Sequence, residues 1–177
     1  MPRLDGQTFA QVMACWPAGV AVVTTIDANG TPRGLTTTAV TSVSLNPPLL
    51  LVCVDRTSRT LPALRYARAF AVNVLDAGHA QLARHFASKA EEKFTELAWT
   101  PGRDGVPILH DHCIAWAECR TRHEIEAGDH LIMVGEVVHG GAEQERASLI
   151  YFRRDFGSFA ALAPNALGPR PIGDELA

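Results

Sequence analysis

No G-x-G-x-x-G, G-x-x-x-x-G-K-[ST] or G-x-S-x-G stretch occurs in the 177 residues. Rossmann dinucleotide binding, a phosphate-binding P-loop and a hydrolase nucleophile elbow therefore lose their sequence support. Basic charge is scarce as well. Sixteen Lys and Arg stand against 19 Asp and Glu, for a formal net charge of -3, and the pI is near 6.1, which leaves no electropositive footprint for nucleic acid or anionic lipid. The four cysteines, Cys15, Cys53, Cys113 and Cys119, form no C-x-x-C pair. Cys53 sits inside an apolar run, so reduced core thiols are expected. Long apolar runs are missing too: Pro17 and Gly19 interrupt Ala14 to Val23. Neither a signal peptide nor a membrane span is expected, and the cytoplasm is the expected compartment. No internal repeat is present. "HEIEA" fails as a zinc-protease helix because Ala127 stands where the second histidine is required. "HDHC", read as a strand, puts His110 and His112 on one side and Asp111 and Cys113 on the other. Two imidazoles are an incomplete zinc site, so no metal is expected there.

What remains is an ordinary soluble composition, 47% hydrophobic and 20% charged, long enough to bury a core without staples. Partners are expected to be small molecules or other proteins. Phe9, Val12, Met13 and Trp16 recur at helical spacing, predicting a short amphipathic helix that stops at Pro17. "GVAVVTTI" predicts a buried strand, Asn29-Gly30 a two-residue hairpin turn, and Leu35 to Ser44 the returning strand. Pro47-Pro48 mark a turn before the apolar strand Leu49 to Val54. Ser58 is placed to cap a helix through "LPALRYA", and "AFAVNVL" is a further strand. A helix is expected across "AQLARHFASKAEEKF". Two long strands, "CIAWAECRTRHEIE" and "HLIMVGEVVHGG", flank a turn at Ala127-Gly128-Asp129, and "SLIYFRRDFGSF" closes the domain. Strands in series joined by hairpins, without βαβ alternation, predict an α+β, mainly β, barrel-like domain over 1–162. The Pro/Gly-rich remainder, 163–177, is expected to be a flexible tail or an arm onto a partner.

Three stretches carry polar chemistry. In "GLTTTAVTSVSLNPPLLLVCV" threonine suits a pleated surface, yet hydroxyls stud both faces, with Thr36, Thr38, Ser42 and Ser44 on one side and Thr37 and Thr41 on the other. Donors facing a ligand would account for this. "RTSRT", Arg56 to Thr60, joins hydroxyls and two guanidiniums to an expected helix start, which either attracts phosphate or is a capped helix with solvated arginines. His130 begins a strand after a Gly-Asp turn. It either hangs over a cleft as a donor or proton source, or simply bonds Asp129 or backbone.

Taken in order, "WPAGVAVVTT", "GLTTTAVTSVSLNPPLLLVCV", "RTSRT", "KF", "GDHLIMVGEV" and "LIYFRRDF" resemble the flavin reductase family, from about Phe9 to Phe159. The resemblance implies an FMN-binding split β-barrel with flanking helices. It also implies a role as the reductase component of two-component flavin-dependent monooxygenases, with FMN or FAD bound and NADH or NADPH as co-substrate. It places Thr36, Thr37, Thr38 and the backbone of Ala39 against the flavin ring, and Ser42, Val43 and Ser44 further along it. The segment from Val54 and Asp55 to Thr60 then meets the ribityl and phosphate end, with Ser58 and Thr60 as donors. Lys93 and Phe94 match a basic-aromatic pair near the cofactor, and His130 borders the nicotinamide pocket. Two residues depart from the family pattern: Ala18 stands where threonine is common, and Phe156 where many relatives have tyrosine, which puts in doubt a hydrogen bond from that position.

The implied reaction moves hydride from nicotinamide C4 to flavin N5, and the flavin carries the chemistry. It needs no acid-base pair, in keeping with the lack of a paired-carboxylate signature. The resemblance further implies a homodimer and an oxygenase component as partner. Two other readings compete: a pyridoxamine-phosphate-oxidase-like split-barrel oxidase, and a non-catalytic electron carrier of flavoredoxin type.

Overall fold

The computed structural model describes residues 4–143 and 145–159; the expected tail, 163–177, lies outside them. The chain opens with helix α1 (Gly6–Ala14), capped by Asp5, whose carboxylate accepts from the Thr8 N–H at 2.9 Å and the Thr8 hydroxyl at 2.7 Å. Strands β1 (Ala18–Gly19), β2 (Ala21–Ile26), β3 (Pro32–Thr37), β4 (Val40–Ser44) and β5 (Leu49–Asp55) follow. Then come helix α2 (Leu61–Ala67), β6 (Ala69–Leu75), helix α3 (Ala80–Ala87) and the short strands β7 (Thr100–Pro101) and β8 (Pro107–Ile108). The long hairpin β9 (Cys113–Ala127) and β10 (His130–Ala142) precedes a final hairpin of β11 (Leu149–Phe152) and β12 (Asp155–Ser158).

Among the described residues, seven strands form one antiparallel sheet in the order β3-β2-β6-β9-β10-β5-β4. Its two edge strands, β3 and β4, are consecutive in the chain and separated only by Thr38 and Ala39. A link that short cannot join opposite edges of a flat sheet, so the sheet rolls until its edges meet. The Cys53 N–H donates to the Ala39 carbonyl at 3.0 Å, carrying the β4–β5 ladder one residue into that link.

Period-two alternation then sorts the apolar side chains into two cores. Ala21 and Val23, Val52 and Val54, Phe70 and Val72, and Leu131 and Met133 point inward and fill the barrel, with Leu61 and Leu64 of α2 plugging one end. Val20 and Val22, on the opposite face of the same run, pack outside against Leu75, Phe86, Leu109 and Leu149 under α3 and the last hairpin. This is why Val20 to Val23 is apolar at every position rather than at alternate ones.

Several sequence expectations change. Leu35 to Ser44 is not one strand but two, bent at Thr38-Ala39, because the barrel must close there. Asn29 and Gly30 do sit in the β2–β3 connection, with Gly30 at φ 75°, but the loop runs from Asp27 to Thr31. The Asp27 carboxylate ties it together by accepting from Asn29 N at 2.9 Å and Thr31 N at 3.0 Å. Helix α3 stops at Ala87 rather than continuing to Phe94. The Ser88 hydroxyl donates back to the His85 carbonyl at 2.7 Å, a local bond that competes with helix continuation. Thr60, not Ser58, occupies the cap position of α2, and it makes no side-chain cap bond. His110–His112 forms a single 3-10 turn instead of a strand edge. Finally, the apolar face of α1 stays outside: Phe9, Val12, Met13 and Trp16 are all exposed.

Candidate active site

The bend at Thr38-Ala39 opens a cleft along the outside of the barrel. It consists of three adjoining hollows. A lower one of about 750 Å³ lies between β3, the loop Asp55–Thr60 and the turn that follows α3. A central one of about 460 Å³ is walled by Thr36, Thr37, Thr38 and Ala39 on one side and by Ala83, Arg84 and Ala87 of α3 on another, with His130, Tyr151 and Phe156 completing it. An apolar one of about 520 Å³ lies between α1 and β4–β5. Thr36 belongs to both the lower and the central hollow. Thr38, Ala39, Cys53, Tyr151 and Arg154 belong to both the central and the apolar hollow, so the three form one trough.

The hydroxyl-rich stretch builds the middle of that trough. The Thr36 hydroxyl donates to the Ala83 carbonyl at 2.7 Å and fastens β3 to α3. The Thr37 hydroxyl accepts from the Ala39 N–H at 3.0 Å and shapes the bend. Thr38 and Ala39 sit at the apex, where the central and apolar hollows meet. Ser42, Val43 and Ser44 lie past the bend on edge strand β4 and line none of these hollows. The expectation of one continuous hydroxyl surface is corrected here, because the strand turns away. Val54 is buried inside the barrel, so only its backbone is available to a ligand.

In the lower hollow, Asp55 spends its carboxylate on its own loop, accepting from Thr57 N at 2.6 Å and the Thr57 hydroxyl at 2.7 Å. The Thr57 hydroxyl and then its N–H hold the Asp55 pKa below the ordinary aspartate value. Ser58 and Thr60 line the hollow. The Thr60 hydroxyl, however, is buried and donates to the Gly34 carbonyl at 3.0 Å. Lys93 is also there, but it too acts as a strut: its ammonium donates to the Phe86 carbonyl at 2.6 Å and to Gly34 O at 3.3 Å. Burial, and then the charge of Arg59, lower its pKa. Phe94 stands edge-on to Phe86, ring centres 5.1 Å apart. Gly34 is where these supports converge, and its missing Cβ matters, since an added one would meet Phe86 at 2.7 Å.

His130 reaches the central hollow from the start of β10. Its Nδ1 lies 2.7 Å from an Asp129 carboxylate oxygen, so the histidine lines the hollow and pairs with Asp129 at once. That bond is the first cause of a lowered Asp129 pKa. Across the hollow, the Arg84 guanidinium stands 4.8 Å above the Phe156 ring, and Phe156 leans on Tyr151 at 5.2 Å. Phenylalanine at this position gives the wall a ring without a hydroxyl. Ala18 lines the apolar hollow.

A flat tricyclic ring suits the central hollow, which has small apolar side chains on α3, threonines along one edge and aromatic rings on the far wall. The polar lower hollow suits a phosphorylated tail. The pattern of the Flavin reductase like domain matches residues 13–160. The chain belongs to the flavin reductase family. It is 46% identical over 155 residues to the flavin reductase (NADH) of Kitasatospora aureofaciens, covering 86% of this chain and 81% of that one. The NADH:FAD oxidoreductase of Streptomyces globisporus, solved in complex with NAD and FAD fragments, superposes with a TM-score of 0.80 at 34% identity, covering 94% of this chain and 99% of that one. The flavin reductase component of a bacterial two-component tryptophan halogenase does so with a TM-score of 0.80 at 29% identity, covering 89% and 100%. The rolled sheet is thus the family's split-barrel fold, as the resemblance implied.

Of the residues lining this flavin reductase's trough, the threonine wall, Lys93, Phe94 and His130 are marked in the sequence, whereas Arg33, Arg84, Tyr151 and Arg154 are not. The last two come from "YFRRDF", where Arg153 and Arg154 take φ of 50° and 67° in the tight β11–β12 turn. Nothing in the spacing of that hairpin shows that it folds back beside Thr38. Arg84 could have been found only as a polar residue on α3 three positions before Ala87, its neighbour on the same face.

Proposed function

We propose that this chain is an NAD(P)H-dependent flavin reductase that reduces FMN or FAD and supplies the reduced flavin to a separate oxygenase component. One observation carries the reading: a single trough joins a ring-sized slot walled by Thr36–Ala39, a polar extension, and a half-buried histidine at the slot's edge. The family relatives named above support it, being an NADH flavin reductase, a reductase solved with NAD and FAD fragments, and a halogenase's reductase component.

Thr36, Thr37, Thr38 and Ala39 hold the ring edge, with Ala83 and Ala87 beneath it. The Asp55–Thr60 loop, with Ser58 and Arg59, holds the tail. Bound there, flavin supplies the hydride acceptor for a nicotinamide laid against it. The protein's contribution is positioning, which is worth ~7–11 kcal/mol of a barrier when reactants are held in near-attack contact. Arg84 and Phe156 on one side and His130 on the other flank the open face, where the nicotinamide enters. With its Nδ1 committed to Asp129, His130 keeps Nε2 for a ligand, suited to orienting a carboxamide.

A homodimer completes the proposal. The exposed face of α1 (Phe9, Val12, Met13, Trp16) adjoins the apolar hollow, and Val43 and Leu45 are exposed on the β4 side. A second copy would cover this apolar surface. Sedimentation at micromolar concentration should show a dimer, and a monomer refutes this part.

Anaerobic stopped-flow absorbance with each flavin and each nicotinamide nucleotide tests the enzyme reading. Bleaching of the flavin band by NADH or NADPH is expected. Retained flavin that is never bleached assigns the chain to a carrier role, and absence of flavin binding overturns the proposal altogether.

A further inference from the structure

The lower hollow is larger than a polyol and one phosphate require. Its volume of about 750 Å³ alone falls in the range of ~300–1,000 Å³ that accommodates a drug-sized ligand, and the adjoining ring slot adds about 460 Å³. The Thr60 hydroxyl bonds Gly34 O, which fixes the Asp55–Thr60 loop beside the midpoint of β3. The hollow does not end there. It continues along β3 to Pro32, Arg33 and Asp27.

Arg33 is prepared for something flat. Its Nε donates to Asp27 Oδ2 at 2.9 Å and its terminal NH2 reaches the same carboxylate at 2.8 Å, with the side chain 38% exposed. Burial alone would raise the Asp27 pKa, but the Thr31 N–H, Arg33 and the Asn29 N–H hold it below the usual aspartate value, so the carboxylate stays ionised and the fork stays formed. A guanidinium pinned in this way is a rigid, charged plane, the kind of surface on which a nucleobase stacks.

We infer that the hollow beyond Gly34 is an adenine-nucleotide subsite with Arg33 as its platform, so that the chain selects FAD over FMN. The inference rests on the reductase reading above and adds a specificity-determining residue to it.

Calorimetric titration of the protein with oxidised FMN and oxidised FAD, without nicotinamide, tests it. FAD should bind about tenfold tighter than FMN, the size of one stacked base. Arg33→Ala should remove that advantage and leave the FMN affinity within about twofold. Arg33→Lys keeps the charge but not the plane, and should behave as Arg33→Ala does. Equal affinities for the two flavins in the unmodified protein overturn the subsite while leaving the reductase intact. Equal weakening of both flavins by Arg33→Ala, or full rescue by lysine, assigns Arg33 to phosphate charge and overturns it as well. A raised KM for NADH with unchanged FAD affinity assigns the adenine tail to the nicotinamide nucleotide, again against the inference. If neither flavin binds at all, the reductase reading fails first.

Discussion

Thr60 separates two accounts of the same residue. By family resemblance it is a hydroxyl donor to the flavin tail. In the structure its hydroxyl is buried and donates to Gly34 O at 3.0 Å, tying the loop before α2 to the strand that floors the cleft. Thr60→Val keeps the shape and removes the bond. Thr60 makes no side-chain cap bond to α2, so no capping energy is lost. The Gly34 carbonyl keeps a second donor, Lys93 Nζ at 3.3 Å, so it is not stranded. The cost should therefore sit near the ~1 kcal/mol of an ordinary hydrogen bond rather than at the top of the ~1–3 kcal/mol for a bare buried acceptor. In a chain of this size that lowers Tm by roughly 2–4 °C. Urea unfolding followed by tryptophan fluorescence should show the loss as a shifted midpoint at unchanged slope. Titration with flavin, under the reductase reading, should change Kd by less than about threefold. A Kd raised about tenfold, ~1.4 kcal/mol, at an unmoved urea midpoint would show the hydroxyl serving the ligand and refute the structural argument.

Further outcomes follow from the same geometry. His130→Ala should lower kcat/KM for NADH about tenfold, the weight of one orienting hydrogen bond, while flavin Kd stays within about threefold; an unchanged rate removes His130 from the mechanism. Gly135→Ala places a Cβ 2.6 Å from Phe70 Cζ and 2.8 Å from the Cys119 Cβ, and overpacking of this kind costs ~1–3 kcal/mol; an unmoved denaturation midpoint would show that Phe70 can yield. His112 has both ring nitrogens buried and unbonded, edge-on to His79 at 4.6 Å. Burial, then the charge of His79, lower its pKa, outweighing the opposite pull of Asp111 and Asp76. The unfolded chain therefore takes up the proton first, and stability is lost as pH falls from about 6.5 toward the lower folded value. Urea midpoints at about pH 7.5 and about pH 5.5 should differ less in His112→Phe than in the unmodified protein; equal differences refute the argument.

Much of this protein was legible from one chain because its signals are local. Alternation and punctuation place β2, β5, β6 and the β9–β10 hairpin within a residue or two of their positions. The spacing of Phe9, Val12, Met13 and Trp16 and the stop at Pro17 place α1, and the excess of threonine at 36–38 marks the wall of the central hollow. Local signals fail where a residue's partner is distant in sequence. Ser42 and Ser44 share the composition of Thr36–Thr38 but not their fate, since only closure of the barrel decides that the chain bends at Ala39. Thr60 and Lys93 look like free donors along the chain, yet in the folded protein both converge on Gly34, 26 and 59 residues away. Side-chain chemistry and period-two patterning belong to the sequence by itself, because they depend on neighbours a few residues apart. Which donors remain free for a ligand, and which are consumed as struts, depends on contacts between remote segments, and only tertiary structure decides it.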